Sequence, residues 1–198
     1  DYNIFIRSLA AKDSLGGISE MTYPCMSVMR SFFDILIVET VGVGQSEISI
    51  EDVADSIIFC VQPGSGDTIQ FMKSGIFEIP DIIVVTKSDI EKIANHTHSE
   101  LNSSKNYYKS TNGWDIEIIK TSVVKNIGID LLFNEIEKRW MWLKKNKKIH
   151  HQRISQDISW ITKTIMREFG TNGVKKIDEF LSYKEKPFAS LQNLKKKL

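Results

Sequence analysis

Four short apolar runs constrain this chain more than any other feature: "DILIVE" (34–39), "SIIFCVQ" (56–62), "DIIVVT" (81–86) and "IEIIKT" (116–121). They are rich in β-branched residues and almost unbroken in hydrophobicity. Strands buried on both faces of a parallel sheet read this way. Longer helix-like segments separate them, at about 19–33, 67–79, 90–110 and 128–148. Strand–helix–strand alternation predicts an α/β fold, a mostly parallel sheet with helices on both faces. Pro24 interrupts the first helical segment, so that helix is expected to be kinked or to start later. Beyond about residue 150 the pattern changes. Ile154, Ile158, Ile161, Ile165 and Phe169 recur at helical spacing, and "GTNG" (170–173) is expected to stop that helix. The sequence thus divides into an α/β body, 1–148, and a C-terminal α-helical arm, 149–198.

A chain of 198 residues, 41% hydrophobic and 26% charged, can hold one sizeable core. No apolar run approaches the ~20 residues that span a bilayer, so no membrane partner is expected. The chain opens "DYNIFIRSLA" without methionine, which reads as mid-protein, and a fragment is expected. Charge is unevenly placed. Residues 1–137 carry 10 Lys and Arg against 20 Asp and Glu, whereas residues 138–198 carry 16 against 5, so a body of −10 adjoins a tail of +11. The tail's basic residues interleave with an apolar stripe rather than with stacking aromatics, which argues against nucleic acid; such helices pack on a partner or on the body itself, and a second copy is the expected partner. Cys25 and Cys60 show no disulfide or metal spacing, and Cys60 is expected to pack as a small apolar side chain. His96 and His98 are expected on a solvated surface.

Ligands of open α/β sheets bind at the carboxyl ends of the strands, and each run above ends in a distinctive group. Glu39 is a carboxylate closing an apolar strand, costly there unless a cation or donor meets it. A strand-end acid followed by "TVG" can hold Mg²⁺, usually through water, with Gly42 leaving room for a terminal phosphate; a loop acid before a turn is the alternative. The second run ends in "PGSGD" (63–67), which also reads as a turn with Asp67 as helix N-cap. The third ends in "TKSD" (86–89). A carboxylate such as Asp89 can accept two hydrogen bonds from guanine, a pattern adenine does not offer. The fourth ends in "TSV" (121–123), small residues that let backbone amides approach a base.

Together "IFIRSLAAKDSLGGIS", "DILIVETVGVGQSE", "QPGSGDTIQFMKSGIFEIPDIIVVTKSD" and "RWMWL" resemble the methylmalonyl-CoA mutase-associated GTPases, also known as ArgK-type transport kinases. The human methylmalonic aciduria type A protein belongs to the same family. The resemblance covers nearly the whole chain and is weakest at about 92–112 and after about 170. It implies a P-loop NTPase-type fold, GTP or GDP and Mg²⁺ as ligands, and a C-terminal dimerisation arm. Glu39 would be the acid near Mg²⁺ and Gly42 would face the γ-phosphate. Thr86, Lys87 and Asp89 would read guanine, with Thr86 where asparagine is usual. Ser122, Val123 and Val124 would form the last base-contacting loop. Asp67, Gln70 and Lys73 would form a switch that communicates nucleotide state to an adenosylcobalamin-dependent mutase; a solvated helix face is the alternative for the last two.

One departure matters. The phosphate-cradling loop G-x-x-x-x-G-K-[ST] occurs nowhere in the sequence; it and its strand are expected upstream of Asp1. Since that loop supplies most phosphate binding, the chain as given is expected to be a poor GTPase. The resemblance implies a GTP-hydrolysing chaperone that gates cofactor loading and protection, acting as a homodimer in the cytoplasm, or in the mitochondrial matrix of a eukaryote. The alternatives are a nucleotide-independent docking module and an ATP-using transport-system kinase; Asp89 argues against the latter.

Overall fold

The computed structural model describes residues 3–9, 18–40, 47–64, 79–105, 113–177 and 186–198. Helix α1 (Thr22–Met29) and a short 3-10 helix (Glu47–Asp52) precede strand β1 (Ile58–Val61). Strand β2 (Ile82–Val85), helix α2 (Glu91–Ser104), strand β3 (Glu117–Lys120), helix α3 (Ile129–Lys145), helix α4 (Lys148–Lys175) and helix α5 (Pro187–Lys197) follow. The three strands form a parallel sheet in the order β1-β2-β3, with Ile83 opposite both Phe59 and Ile118.

All four residues of β2 are buried. The two-residue period of a strand sends Ile83 and Val85 to one face, where they meet Val61, Ile116 and Ile118 with Ala94 and Leu101 of α2. Ile82 and Val84 point to the other face and join Ile119 under Leu132 and Ile136 of α3. Each fully buried aliphatic side chain contributes roughly 1.5–3 kcal/mol. These two layers make the continuous hydrophobicity of the central run intelligible.

The first run behaves otherwise. Residues 35–40 form no regular element, and Ile35 and Ile37 are 69% and 89% exposed. The expected strand at 34–39 is therefore not formed. Hydrophobicity marks a segment for burial, but a strand also needs a ladder partner, and among the described residues none pairs with it. Cys60, expected in the core, is exposed on the edge strand β1.

Other boundaries shift for local reasons. Helix α1 starts at Thr22, which puts Pro24 in its first turn, where a missing backbone N–H costs nothing. The predicted helix over 128–148 instead breaks at Asn146–Lys147, where Lys147 takes a left-handed conformation (φ 55°). "GTNG" bends rather than ends the long helix: Gly170 leaves helical geometry (φ 65°, ψ −163°), and helix resumes to Lys175. The helix expected at 67–79 lies almost wholly outside the described residues. His96 is exposed and pairs with Glu100 at 3.3 Å. His98 differs from expectation: it is half-buried, with Nε2 3.2 Å from the Ile118 carbonyl on the outer edge of β3.

The arm also departs from expectation. Ile161 and Ile165 are buried against Ile177 and Leu194 of the same chain, with Trp160, Val174, Leu191 and Leu198 packed around them. α5 thus covers Ile161 and Ile165, whereas Ile154 and Ile158 are half-buried and Phe169 is 39% exposed. The opposed charges meet within one chain as well. Arg153 grips Asp55 (Nη2 to Oδ2 2.7 Å), Lys163 pairs with Asp52, and Arg167 with Glu20, while Lys195 and Glu168 pair within the arm itself.

At the amino edge of the sheet, Asp81 and Arg139 form a buried ion pair at 2.8 Å, with side chains 8% and 2% exposed. Burial pushes the Asp81 carboxyl upward, and the Arg139 guanidinium and the Ile57 amide oppose that push. Removing one member strands the other charge in low dielectric. Arg139→Ala is expected to cost about 3–5 kcal/mol in urea denaturation, with much of that loss recovered by the apolar double variant Asp81→Leu/Arg139→Met. A single variant as stable as the parent would show that the pair does not anchor the fold.

Candidate nucleotide-binding edge

Because the strands are parallel, all three deliver their carboxyl ends to one edge. β1 leads into Gln62-Pro63-Gly64, β2 into Thr86–Asp89, and β3 into Thr121–Val124. Backbone hydrogen bonds continue past the strands and fix these exits. The Thr86 amide donates to the Val61 carbonyl at 2.9 Å, and the Thr86 hydroxyl donates to the same oxygen at 3.2 Å. The Ser88 amide donates to the Thr121 carbonyl at 2.9 Å. "TKSD" is thereby tied on one side to β1 and on the other to the exit of β3.

Lys87 lies between these ties with φ 50°, a left-handed conformation disfavoured for a side-chain-bearing residue. Its exposed ammonium donates to Gln62 Oε1 at 3.0 Å, so its stem crosses from the end of β2 to the end of β1. Asp89 accepts a 2.6 Å hydrogen bond from the Ser122 hydroxyl, which itself accepts from the Lys125 amide at 3.3 Å. The Ser122 bond first, then the Asp89 amide with Lys125 and Lys87 nearby, holds the Asp89 carboxyl below the usual carboxylate value. The carboxylate is ionised and aimed by neutral donors.

The β3 exit is a closed loop. Ser122 and Ile127 exchange two 2.9 Å backbone hydrogen bonds, an antiparallel bridge that leaves Val123 and Val124 at the tip, 85% and 86% exposed. Gly128 makes this closure possible: at φ 72°, a Cβ there would lie 2.0 Å from the Lys120 carbonyl oxygen. Two apolar side chains raised beside an ordered carboxylate suit a flat heterocycle with an edge of N–H donors.

Of the residues singled out in the sequence, Thr86, Lys87, Asp89, Ser122, Val123 and Val124 share this edge. Glu39 is exposed, and among the described residues no hydrogen bond or ion pair joins it to them. Gly42, Asp67, Gln70 and Lys73 lie outside the described residues. Among the described residues no group of three or more His, Cys, Asp or Glu side chains could hold a metal, and no helix is long and apolar enough to cross a membrane. Gln62, Lys125 and Gly128 went unread in the sequence. The two-residue offset of Gln62 from Gly64 carried no signal, whereas Gly128 just ahead of a helical segment could have been read as a tight approach.

A parallel sheet with helices on both faces and polar groups at its carboxyl edge defines an open α/β protein of the kind that binds ligands at that edge. The crystal structure titled LAO/AO transport system kinase shares this fold, with a TM-score of 0.61, 21% identity, and coverage of 90% of this chain and 63% of that one. The profile of the family "Methylmalonyl Co-A mutase-associated GTPase MeaB" matches residues 1–177, and the chain belongs to that family. A Pyrococcus abyssi protein named "Putative GTPase" is 35% identical over 173 residues, 84% of this chain and 53% of its own length. The mouse "Methylmalonic aciduria type A homolog, mitochondrial" is 28% identical over 180 residues, 87% of this chain and 43% of its own. The chain spans about half the length of these curated relatives.

The Ser122–Asp89 bond gives a pH signature. Asp89 titrates below its unfolded value, so its contribution to stability is present at neutral pH and is lost as pH falls below about 4. Ser122→Ala is expected to raise the Asp89 titration toward the ordinary range, read by NMR of the side-chain carboxyl carbon. An unmoved titration would remove Ser122 from the role of aiming that carboxylate.

Proposed function

We propose that this chain is the guanine-reading part and helical arm of a GTP-hydrolysing chaperone that serves an adenosylcobalamin-dependent acyl-CoA mutase of the methylmalonyl-CoA type, gating cofactor loading and protection. The observation that carries the nucleotide half of this reading is the Asp89 carboxylate, held ionised by Ser122 beside the raised Val123–Val124 tip. Family membership supports the mutase half.

In this reading Asp89 accepts from the guanine ring N–H and exocyclic amine, and the Lys87 stem lies along the base. Thr86 fixes the exit of β2, and the loop of Ser122, Val123 and Val124 meets the base carbonyl. Bound Mg²⁺ would neutralise developing phosphate charge. Glu39 would hold that ion through water, with Gly42 facing the γ-phosphate. Asp67, Gln70 and Lys73 would pass nucleotide state to the mutase. Residues 1–148 act as the nucleotide-binding body and 149–198 as the arm, and the complete protein works as a homodimer.

Two substitutions in a form extended upstream through a phosphate loop test the roles separately. Asp89→Asn exchanges an acceptor pair for an amide that can donate. GTP affinity should fall by at least about tenfold, while xanthosine triphosphate, with a carbonyl where guanine has its amine, should bind better than before. Equal GTP affinity in parent and variant would take Asp89 out of base reading, and effective competition by ATP in the parent would favour the kinase alternative. Glu39→Gln keeps shape but weakens the Mg²⁺ shell, so turnover should drop about tenfold, or ~1.4 kcal/mol of barrier, with nucleotide affinity little changed. Wild-type turnover with wild-type Mg²⁺ dependence would sink that assignment.

A further inference from the structure

Helix α3 carries two stripes, and the body covers one of them. Leu132, Ile136, Arg139 and Leu143 recur at spacings of 4, 3 and 4. Leu132 and Ile136 pack on Ile82, Val84 and Ile119, Arg139 meets Asp81, and Leu143 is 1% exposed. A surface helix needs one such stripe. Asp130, Phe133, Glu137, Met141 and Lys144 make a second, at spacings of 3, 4, 4 and 3. At about 100° per residue they fall within an arc of about 80°.

All five are exposed, Phe133 at 53% and Met141 at 64%. The ion pairs of α3 join Lys138 to Glu135 and Arg139 to Asp81. Among the described residues none reaches Asp130, Glu137 or Lys144. An acid in the first turn and a lysine in the last suit the helix dipole. The dipole gives no reason for the phenylalanine and the methionine raised into solvent between them. The Trp140 ring, 4.7 Å from the Lys144 ammonium, borders the same stripe.

The stripe is palindromic about Glu137. A second copy laid antiparallel, with the two-fold axis at Glu137, brings Asp130 opposite Lys144 of the other copy and Phe133 opposite Met141. Symmetry repeats both pairs on the far side of the axis. A parallel copy would instead set acid against acid and lysine against lysine. Charge and hydrophobicity thus match this stripe to itself reversed. Glu137 is the mismatch, since on the axis it faces its own equivalent and weakens the association.

We propose that α3 is a docking surface for a second copy of this chain, paired antiparallel through Asp130, Phe133, Glu137, Met141 and Lys144. The inference rests on the homodimer of the proposed function and places a contact of that dimer on the body.

Cysteine cross-linking of the complete protein tests the geometry. Glu137→Cys puts a thiol on the axis, so mild oxidation should link at least about half of the chains as disulfide dimers. Asp130→Cys and Lys144→Cys each lie about 21 Å from their own equivalents, so neither alone should exceed the parent, which has Cys25 and Cys60. The two combined should cross-link. Asp130→Lys should weaken association by at least about tenfold in sedimentation, and Asp130→Lys/Lys144→Asp should restore it. Glu137→Gln should strengthen it. These positions are exposed, so the fold is not endangered. A dimer whose Glu137→Cys form cross-links no more than the parent overturns the α3 contact and leaves the homodimer standing. So does a dimer that Asp130→Lys does not weaken. A complete protein that sediments as a monomer overturns the homodimer and this contact together.

Discussion

The carboxyl-edge site is positioned by a pair of charges at the opposite edge. Asp81 is the residue before β2, and Arg139 projects from the middle of α3; their contact ties the central strand to the helix that covers it. The Asp81 carboxylate also accepts from the Ile57 amide at the entrance to β1, and its backbone carbonyl accepts from the Trp114 indole before β3. One residue therefore touches the entrances of all three strands. The guanidinium lies 5.2 Å from the Trp114 ring and 4.7 Å from that of Trp142, which shields it from water. Aligned entrances in a parallel sheet of equal four-residue strands force aligned exits. The geometry at Thr86, Asp89 and Ser122 is the far end of that alignment.

This separation of duties explains where strain and exposure are tolerated. At the amino edge Asp81 is met by the Arg139 ion pair and the Ile57 amide. Arg139 Nε and Nη1 lie buried beside the Trp114 and Trp142 rings, without a hydrogen-bond acceptor among the described residues. The carboxyl edge keeps a lysine at positive φ, two raised valines and a carboxylate held by a neutral hydroxyl. Left-handed geometry at Lys87 is disfavoured locally, yet the Thr86 and Ser88 amides, bonded to β1 and to the β3 exit, leave the chain no other path. Its ammonium is thereby sent across to Gln62.

The legible parts of the sequence were those governed by one physical rule at a time. "DIIVVT" read correctly because a strand covered on both faces must be apolar throughout, and "IEIIKT" because its two central isoleucines are buried between an exposed Glu117 and a half-buried Lys120. "TKSD" and "TSV" could be placed at strand exits because a parallel sheet puts them there. Where two rules competed, the reading failed. "DILIVE" satisfies the burial rule, but pairing depends on a neighbour that local sequence cannot specify. Arg139 in "RWMWL" reads as one more basic residue, since nothing nearby announces that Asp81, 58 positions earlier, is its partner. Ile161 and Ile165 were rightly read as core-seeking, yet a helical stripe does not say what covers it; for these two residues the cover includes Leu194 of α5, 29 positions beyond Ile165.

The opposed charges of body and tail have a similar resolution. A basic helix beside an acidic body invites an intermolecular reading, but body acids of the same chain meet α4: Asp52 with Lys163, Asp55 with Arg153, and Glu20 with Arg167. Exposed pairs of this kind contribute little individually. The work of fixing α4 falls to the buried Gln156 and to the stack of Tyr23 on Trp160, with ring centroids 4.8 Å apart. Neutral hydrogen bonds from Gln152 and Gln156 to main-chain carbonyls of residues 51–55 set its register on the body.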